Sequence, residues 1–160
     1  MTAAFLSHRG PEESMMSAID ILLVEDNPDD LALVLRVLQR QHLADRVEVV
    51  QDGAEALDFL FCTGVYTHRR SADRPRVILL DLKLSKVTGL EVLQRLKSDP
   101  RTRAIPVVIF SSSAQDRDVT ESYELGANSY ILKPLAMSEL TETLSQIARY
   151  WLGLNRPAPG

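Results

Sequence analysis

Three acidic residues follow apolar runs that are predicted to be strands in this chain of 160 residues. Glu25 and Asp26 come directly after the run Ile19 to Val24. Asp81 comes directly after the run Val77 to Leu80. Carboxylates that lie close together repel one another unless a cation neutralises them. Because Mg²⁺ prefers oxygen ligands and commonly takes one or two carboxylates together with phosphoryl oxygens, these acids predict a site for Mg²⁺, with Mn²⁺ as a substitute.

A hydroxyl and an ammonium follow two further apolar runs. Ser111 comes after the run Val107 to Phe110, and Lys133 comes after the run Ser129 to Leu132. Alone, Ser111 would mean little, because serines are common in loops. Lys133 could be a surface lysine at a turn, but it precedes Pro134 at the end of a buried strand, where a long cation can reach across the sheet edge.

The acidic residues also have a purely structural interpretation. Acids in the first turn of a helix stabilise it by about 0.3 to 1 kcal/mol through the helix dipole. For Asp29 and Asp30 this interpretation is the preferred one. It is weaker for Asp26, and weakest for Asp81, which follows four consecutive apolar residues at the expected end of the central strand.

The elements that must position these residues alternate regularly along the chain. Five short β-branched runs alternate with five helical patterns, which predicts an α/β fold of (βα)5 type. Continuous apolar runs indicate strands buried on both faces of a parallel sheet. Right-handed crossovers then favour a flavodoxin-like, doubly wound sheet with strand order 2-1-3-4-5, whose ligands bind at the carboxyl ends of the strands. The predicted strands are Ile19 to Val24, Val47 to Gln51, Val77 to Leu80, Val107 to Phe110 and Ser129 to Leu132.

The helical patterns differ in the strength of their apolar faces. In the first, Asn27 is the predicted N-cap and Pro28 the first helical residue. The second follows Gly53, with Gly64 as a plausible C-cap. The fourth has few large apolar residues and should be held least firmly. The apolar faces are Leu31, Val34, Leu35 and Leu38 for the first; Leu57, Leu60 and Phe61 for the second; Leu90, Leu93 and Leu96 for the third; Val119, Tyr123 and Leu125 for the fourth; and Leu140, Leu144, Ile147 and Trp151 for the fifth.

Composition excludes several classes of protein. The net charge of −4 argues against a general nucleic-acid binder. The single cysteine, Cys62, cannot form an internal disulfide or a zinc site of ordinary spacing. Apolar stretches fall far short of the ~20 residues that a membrane helix needs, and the N-terminus does not resemble a secretory signal, so we expect a cytoplasmic protein. We predict a flexible N-terminal arm at 1–18, one domain at 19–152 and a tail at 153–160.

The motifs together resemble the receiver domain of two-component response regulators. They are Ile-Leu-Leu-Val-Glu25-Asp26-Asn-Pro, Val-Ile-Leu-Leu-Asp81, Val-Val-Ile-Phe-Ser111 and Gly126-Ala-Asn-Ser-Tyr130-Ile-Leu-Lys133-Pro134. The resemblance extends from about Ile19 to Trp151. No DNA-binding output domain follows, so the chain resembles a single-domain response regulator. The Glu-Asp-Asn-Pro start, the long Gly64 to Pro75 connection and the Ser-Tyr-Glu-Leu-Gly-Ala-Asn-Ser-Tyr phrase are most similar to the regulators paired with bacterial and cyanobacterial phytochromes.

The resemblance implies a role for each residue at the strand ends. Asp81 would accept a phosphoryl group from a phosphohistidine of a sensor histidine kinase. Lys133 would neutralise the phosphoryl oxygens, as a loose phosphoryl-transfer transition state requires. Such a protein catalyses its own phosphorylation and dephosphorylation and is not a conventional enzyme. The implied ligands of the metal are Glu25, Asp26, Asp81 and the backbone carbonyl of Lys83.

The resemblance also implies a switch. Ser111 would donate a hydrogen bond to the phosphoryl group, and Tyr130 would turn into the space that the moving loop vacates. This repacking would bias the fourth helix and the face that it forms with the fifth strand and fifth helix, where homodimerisation is implied. Without the resemblance, the sequence favours a structural role for Tyr130 as a half-buried aromatic residue of a strand. Tyr150, Leu152 and Leu154 lie beyond the predicted core and favour self-association, unless the tail folds back on its own domain.

Two lysines depart from the pattern of the phytochrome-associated regulators. Lys83 stands where Asn is common, Ser85 stands where Pro is common, and Lys86 adds a second cation. We hypothesise that Lys83 lies near the phosphoryl group and alters its lifetime by blocking or orienting water; the alternative is a solvated side chain.

Three rival functions meet difficulties in the sequence. A flavin-binding flavodoxin needs a hydroxyl- and glycine-rich loop after the first strand, where this chain is acidic. A haloacid-dehalogenase-type phosphatase is expected to show Asp-x-Asp, whereas Asp81-Leu82-Lys83 has one acid. The third is a receiver that acts as an unphosphorylated interaction module. The sequence argues against it, because all five site positions carry the residues that phosphorylation needs.

Overall fold

Five parallel strands form the central sheet. They are β1 (Ile21–Val24), β2 (Val47–Val50), β3 (Val77–Leu80), β4 (Val107–Ser111) and β5 (Ser129–Leu132). The computed structural model describes residues 19–159, so the predicted arm at 1–18 lies outside the described residues. The strands pair in the order β2-β1-β3-β4-β5, which confirms the predicted sheet.

Strand register brings the strand ends together. Val24 pairs with Val50 of β2 and with Leu80 of β3, and Ser111 of β4 pairs with Leu132 of β5. Because all five strands are parallel, the residues that follow them meet at one edge of the sheet, which we call the C-terminal edge. Glu25, Asp81 and Lys133 are the residues that directly follow β1, β3 and β5.

Between residues 19 and 159, five α-helices cover the two faces of the sheet. They are α1 (Pro28–Arg40), α2 (Gly53–Phe61), α3 (Gly89–Ser98), α4 (Asp116–Glu124) and α5 (Met137–Ala148). Buried residues of α1 and α5 pack on one face, and those of α2 and α3 pack on the other. The single buried residue of α4 is Ser122, as its weak apolar pattern predicted. Within the described range, every helix is too short or too polar to cross a lipid bilayer.

The start of α1 follows the predicted capping pattern. Pro28 is its first residue, and the side-chain oxygen of Asn27 accepts hydrogen bonds from the backbone N–H groups of Asp29 and Asp30, each at 3.0 Å. These bonds satisfy backbone donors that have no partner within the helix. The cap therefore fixes the first turn of α1 beside the end of β1.

The end of α2 differs from the prediction, which placed the C-cap at Gly64. Cys62 is the C-cap and takes the left-handed conformation with φ 57°, while Gly64, which also has a positive φ of 59°, begins a short 3₁₀ turn, Gly64–Tyr66. A non-glycine residue is tolerated there because Asp58 holds the following turn. The backbone N–H and the hydroxyl of Thr63 donate to the carbonyl and the carboxylate of Asp58 at 2.9 and 2.8 Å.

The last helix ends before the predicted apolar stripe does. Leu140, Leu144 and Ile147 of α5 are buried as predicted. Trp151 lies beyond α5 in a π-helical turn, Arg149–Leu154, and is only half-buried. Trp151 nevertheless packs against the same core cluster as Leu140, Leu144 and Ile147, so the predicted apolar stripe continues past the end of α5. The predicted domain boundary after residue 152 falls within the same turn and stays a prediction.

Candidate functional site

Three carboxylates converge at the C-terminal edge. Each of Glu25, Asp26 and Asp81 offers an oxygen, and these oxygens all lie within 4.8 Å of one another. Glu25 and Asp81 are buried, with 2% and 6% of their surface exposed, because each directly follows a central strand. The structure thus brings together the three acids that the sequence predicted to share a site.

Lys133 is the cation at the centre of this group. Its ammonium nitrogen lies 2.8 Å from Glu25 Oε2, 2.9 Å from Asp81 Oδ2 and 3.0 Å from Asp30 Oδ2. The backbone N–H of Lys133 also donates to the carbonyl of Ser111 at 2.9 Å, which continues the pairing of β4 with β5. The β5 strand therefore delivers the lysine that the sequence predicted at this edge.

The charges at this edge are unequal. Burial raises the pKa of Glu25 to about 7, and the hydrogen bond from Lys133 offsets only part of that rise. Burial lowers the pKa of Lys133, but its hydrogen bonds to Glu25 and Asp81 outweigh burial and hold that pKa above its ordinary value. Three carboxylates thus contact one ammonium, and the carboxylate of Asp26 lies beside two of them. The three that contact Lys133 are Glu25, Asp30 and Asp81.

The donor set fits a hard divalent cation. Ser85 donates two hydrogen bonds to Asp26, from its backbone N–H at 3.0 Å and from its hydroxyl at 2.9 Å. Both end on Oδ2, so the other oxygen of Asp26 is available to a metal. Oxygen-only ligands and an excess of negative charge are what Mg²⁺ and Mn²⁺ prefer.

Gly89 allows the loop after β3 to close against Asp81. A Cβ atom at Gly89 would lie 2.2 Å from the carbonyl oxygen of Asp81 and 2.6 Å from the Cα of Leu82. The backbone N–H of Gly89 donates to the Leu82 carbonyl at 3.0 Å, and that of Leu82 donates to Asp81 Oδ1 at 2.7 Å. A glycine is therefore required where α3 begins, because any side chain would push the loop away from the site.

Comparison with known proteins identifies the family. Residues 21–145 match the model of the response regulator receiver domain. The chain belongs to the response regulator receiver family. Over 141 residues the receiver is 43% identical to a protein of Methanothrix harundinacea named a probable methanogenesis regulatory protein, FilR2, covering 88% of this chain and 87% of FilR2.

Two solved structures show the same fold. One is the phosphorylated cyanobacterial phytochrome response regulator RcpA, with a TM-score of 0.80, 38% identity, and 88% of this receiver and 99% of that chain covered. The other is the Mn²⁺-bound form of the response regulator Rcp1, with a TM-score of 0.76, 36% identity, and 86% and 97% covered. Rcp1 is from Synechocystis. Phytochrome-associated regulators are thus among the relatives of this receiver.

Two residues of the receiver site were not predicted from the sequence. The sequence favours a helix-dipole role for Asp30, yet its carboxylate contacts Lys133. Ser85 stands out in the sequence only as a departure from a proline, yet it donates to Asp26. Both contacts join residues that are far apart in the sequence. The position of Asp30 in the first turn of α1, directly beside the C-terminal edge, was the available signal for it.

The two unusual lysines lie in different surroundings. Lys86 has a positive φ of 67° and pairs with Asp52, the N-cap of α2, at 3.3 Å. That contact directs its ammonium toward α2. Lys83 is exposed, and both its proposed carbonyl ligation and its effect on phosphate lifetime stay predictions.

Ser111 and Tyr130 are linked through Ser113. Ser111 is fully buried, and its hydroxyl accepts a hydrogen bond from the backbone N–H of Ser113 at 3.2 Å. The hydroxyl of half-buried Tyr130 donates to the Ser113 carbonyl at 2.8 Å, and the Ser113 hydroxyl donates to Asp118 of α4. A movement of the loop after β4 would therefore reach both Tyr130 and α4.

Proposed function

We propose that this receiver accepts a phosphoryl group on Asp81 from a phosphohistidine of a sensor histidine kinase. The bond between phosphorus and the histidine nitrogen breaks as a bond between phosphorus and an Asp81 oxygen forms. The observation that carries the proposal is the set of contacts around Asp81, which is buried next to two other acids and 2.9 Å from a lysine ammonium. A carboxylate nucleophile needs no general base.

Residues at the C-terminal edge would bind the metal and neutralise the phosphoryl charge. Glu25, Asp26, Asp81 and the backbone carbonyl of Lys83 would hold Mg²⁺, or Mn²⁺ in its place. When bound, the metal supplies positive charge to the phosphoryl oxygens. Lys133 adds the charge of its ammonium, which lies 2.9 Å from Asp81 Oδ2, and alignment with charge neutralisation is most of what phosphoryl transfer requires. The protein is then a phosphoacceptor and not a conventional enzyme.

The readout runs from Ser111 to the face formed by α4, β5 and α5. In this proposal the Ser111 hydroxyl leaves its contact with Ser113 and donates to a phosphoryl oxygen. The loop between β4 and α4 then moves inward, and Tyr130 turns into the space that it leaves. Few buried groups anchor α4, so a small change in energy can shift it.

A phytochrome-type kinase in the cytoplasm is the proposed phosphodonor. The phytochrome regulator RcpA supports this, because 88% of this chain superposes on 99% of RcpA at 38% identity. The chain carries a net charge of −4, so we propose signalling through protein contacts and not through direct nucleic-acid binding.

Removal of Mg²⁺ tests the proposal. The chain is incubated with acetyl phosphate, with either Mg²⁺ or EDTA, and separated on a phosphate-affinity gel. We expect a retarded band with Mg²⁺ and its loss with EDTA, because the acidic edge would otherwise repel the phosphodonor. No retarded band under either condition would favour the alternative function, an unphosphorylated interaction module.

Replacement of Lys83 tests its proposed influence on phosphate lifetime. We expect Lys83→Asn to dephosphorylate about fivefold faster than the parent chain. If Lys83 blocks the attacking water, its exposed charge near the phosphoryl group would add ~1 kcal/mol to the barrier to hydrolysis. Loss of the retarded band is followed over time after the phosphodonor is removed. Lys86→Asn is the matched control, because Lys86 is directed toward Asp52. Equal rates for Lys83→Asn and the parent chain would show that Lys83 is only a solvated side chain.

Exposed apolar residues support a homodimer through the α4, β5 and α5 face. Tyr123 is 50%, Leu132 49% and Leu135 fully exposed, and all three lie on or beside this face. We expect light scattering to give a dimer mass for the parent and a monomer mass for Leu132→Asp. Val65→Asp is the control, because Val65 is 80% exposed on another surface. A dimer that survives Leu132→Asp, but not truncation after Tyr150, would place the interface in the tail instead.

A further inference from the structure

The Lys133 ammonium has three carboxylate partners in this structure: it donates hydrogen bonds to Asp30 and Asp81 and forms an ion pair with Glu25. An ammonium group has three N–H donors, and three carboxylate oxygens lie 2.8 to 3.0 Å from the Lys133 nitrogen. They belong to Glu25, Asp81 and Asp30. A phosphoryl group bonded to Asp81 would bring new anionic oxygens to this ammonium, and they would compete with Glu25 and Asp30 for its N–H donors.

The three carboxylates differ in how easily water can replace the lysine. The side chains of Glu25 and Asp81 are 3% and 7% exposed, whereas that of Asp30 is 39% exposed. Asp81 loses its carboxylate charge when it is phosphorylated, so Glu25 and Asp30 are the two carboxylates that still compete for Lys133. A carboxylate that loses its partner while buried suffers a large desolvation penalty, whereas Asp30 can be rehydrated, so its contact is the less costly of the two to give up.

The position of Asp30 is fixed independently of Lys133. Its backbone N–H donates to the side-chain oxygen of Asn27, and the backbone N–H of Asn27 donates to Glu25 Oε1 at 3.1 Å. These bonds hold the first turn of α1 against the end of β1. Asp30 therefore stays within reach of Lys133 after the contact breaks, and it competes for the lysine continuously.

We propose that Asp30 is a positioning residue that holds Lys133 in the resting state and is exchanged for the phosphoryl group when Asp81 is modified. This inference rests on the proposed function, since it concerns the same phosphoryl site. Asp30 thereby sets how strongly the site favours the phosphorylated arrangement. Removing its charge leaves Lys133 fully available and strengthens the hold on a phosphoryl group.

Fluoroberyllate binding tests this competition at equilibrium. Fluoroberyllate is a tetrahedral phosphoryl analogue that coordinates a carboxylate oxygen, and its affinity for the full chain can be followed by fluorine NMR in saturating Mg²⁺. We expect Asp30→Asn to bind it about fivefold more tightly than the parent does, because one anionic competitor for Lys133 is lost. Asp30→Glu restores a carboxylate and should return the affinity toward that of the parent.

Asp29→Asn is the matched control. Asp29 shares the first turn of α1 and the Asn27 cap, but it is exposed and lies outside the carboxylates that contact Lys133. The Asp29→Asn substitution removes the same charge from the same helix end as Asp30→Asn does, so a general effect on the helix would appear equally in both variants. We expect the affinity of Asp29→Asn to equal that of the parent.

Two kinds of failure can be told apart. Equal affinity in Asp30→Asn and Asp29→Asn, or weaker binding in Asp30→Asn, overturns the exchange while the parent still binds the analogue. If the parent binds no more fluoroberyllate than Asp81→Asn does, the proposed function itself is overturned, and this inference fails with it.

Discussion

The Asp81→Asn chain is expected to take up no detectable phosphoryl group from acetyl phosphate in Mg²⁺. An amide oxygen is a poor nucleophile and carries no negative charge, so the rate should fall by at least about a hundredfold. Asn has the shape of Asp and can still accept from the backbone N–H of Leu82, which contacts Asp81 Oδ1 at 2.7 Å. The fold should therefore persist. The retarded band on a phosphate-affinity gel and the mass of the intact chain measure the result.

Asp29→Asn is a suitable control for this substitution, because it removes a carboxylate from the same end of the sheet at an exposed position. Circular dichroism verifies that both variants are folded. We expect the control to phosphorylate as the parent does. A phosphorylated band of parental intensity in Asp81→Asn would mean that another residue accepts the group, and the proposed mechanism would be wrong.

The Lys133→Met chain is expected to lose both stability and phosphorylation rate. The side chain is only 10% exposed, and its removal leaves Glu25 and Asp81 buried without their cation. Breaking a buried ion pair destabilises proteins by about 3 to 5 kcal/mol, and we expect the lower end because Glu25 can take up a proton. Phosphorylation should slow by about a hundredfold, because one preorganised donor to the phosphoryl oxygens is lost.

Urea unfolding at neutral pH measures the loss of stability, and the same titration with Mg²⁺ should recover part of it. Lys86→Met is the matched control. Lys86 is 69% exposed and pairs with Asp52, so its removal should change the free energy of unfolding by less than about 1 kcal/mol. Equal losses in the two variants would show that Lys133 does not neutralise a buried cluster.

The order of elements was predictable because each strand is a short apolar run bounded by turn residues. The run Val77 to Leu80 is fully buried and lies in the middle of the sheet, as its lack of alternation indicated. The convergence of Glu25, Asp81 and Lys133 then followed from the parallel arrangement alone, since each directly follows a strand. The roles that we assign to these residues remain predictions until they are tested.

The features that escaped prediction depend on contacts between distant segments. The carboxylate of Asp30 meets a lysine 103 positions away, and the hydroxyl of Ser85 meets an acid 59 positions away. The residues next to Asp30 and Ser85 in the sequence do not indicate which distant side chains these two residues contact. Cys62, and not Gly64, is the C-cap of α2, because side-chain and backbone hydrogen bonds from Thr63 to Asp58 support the next turn. The general preference for glycine at helix C-termini could not predict the hydrogen bonds between Thr63 and Asp58.

Insertions will be tolerated very unequally along this chain. Because the side chains of a strand alternate between faces, one added residue within β3 would exchange the side chains that face the two helix layers and shift Asp81 relative to Val24, whose carbonyl accepts from the Asp81 backbone N–H. A segment of many residues added between Ser71 and Ala72 would enter an exposed connection that precedes β3, at the opposite edge of the sheet, for a modest entropic cost. Lineages of this receiver can therefore lengthen that connection, and acquire new recognition surfaces there, while the chemistry stays unchanged.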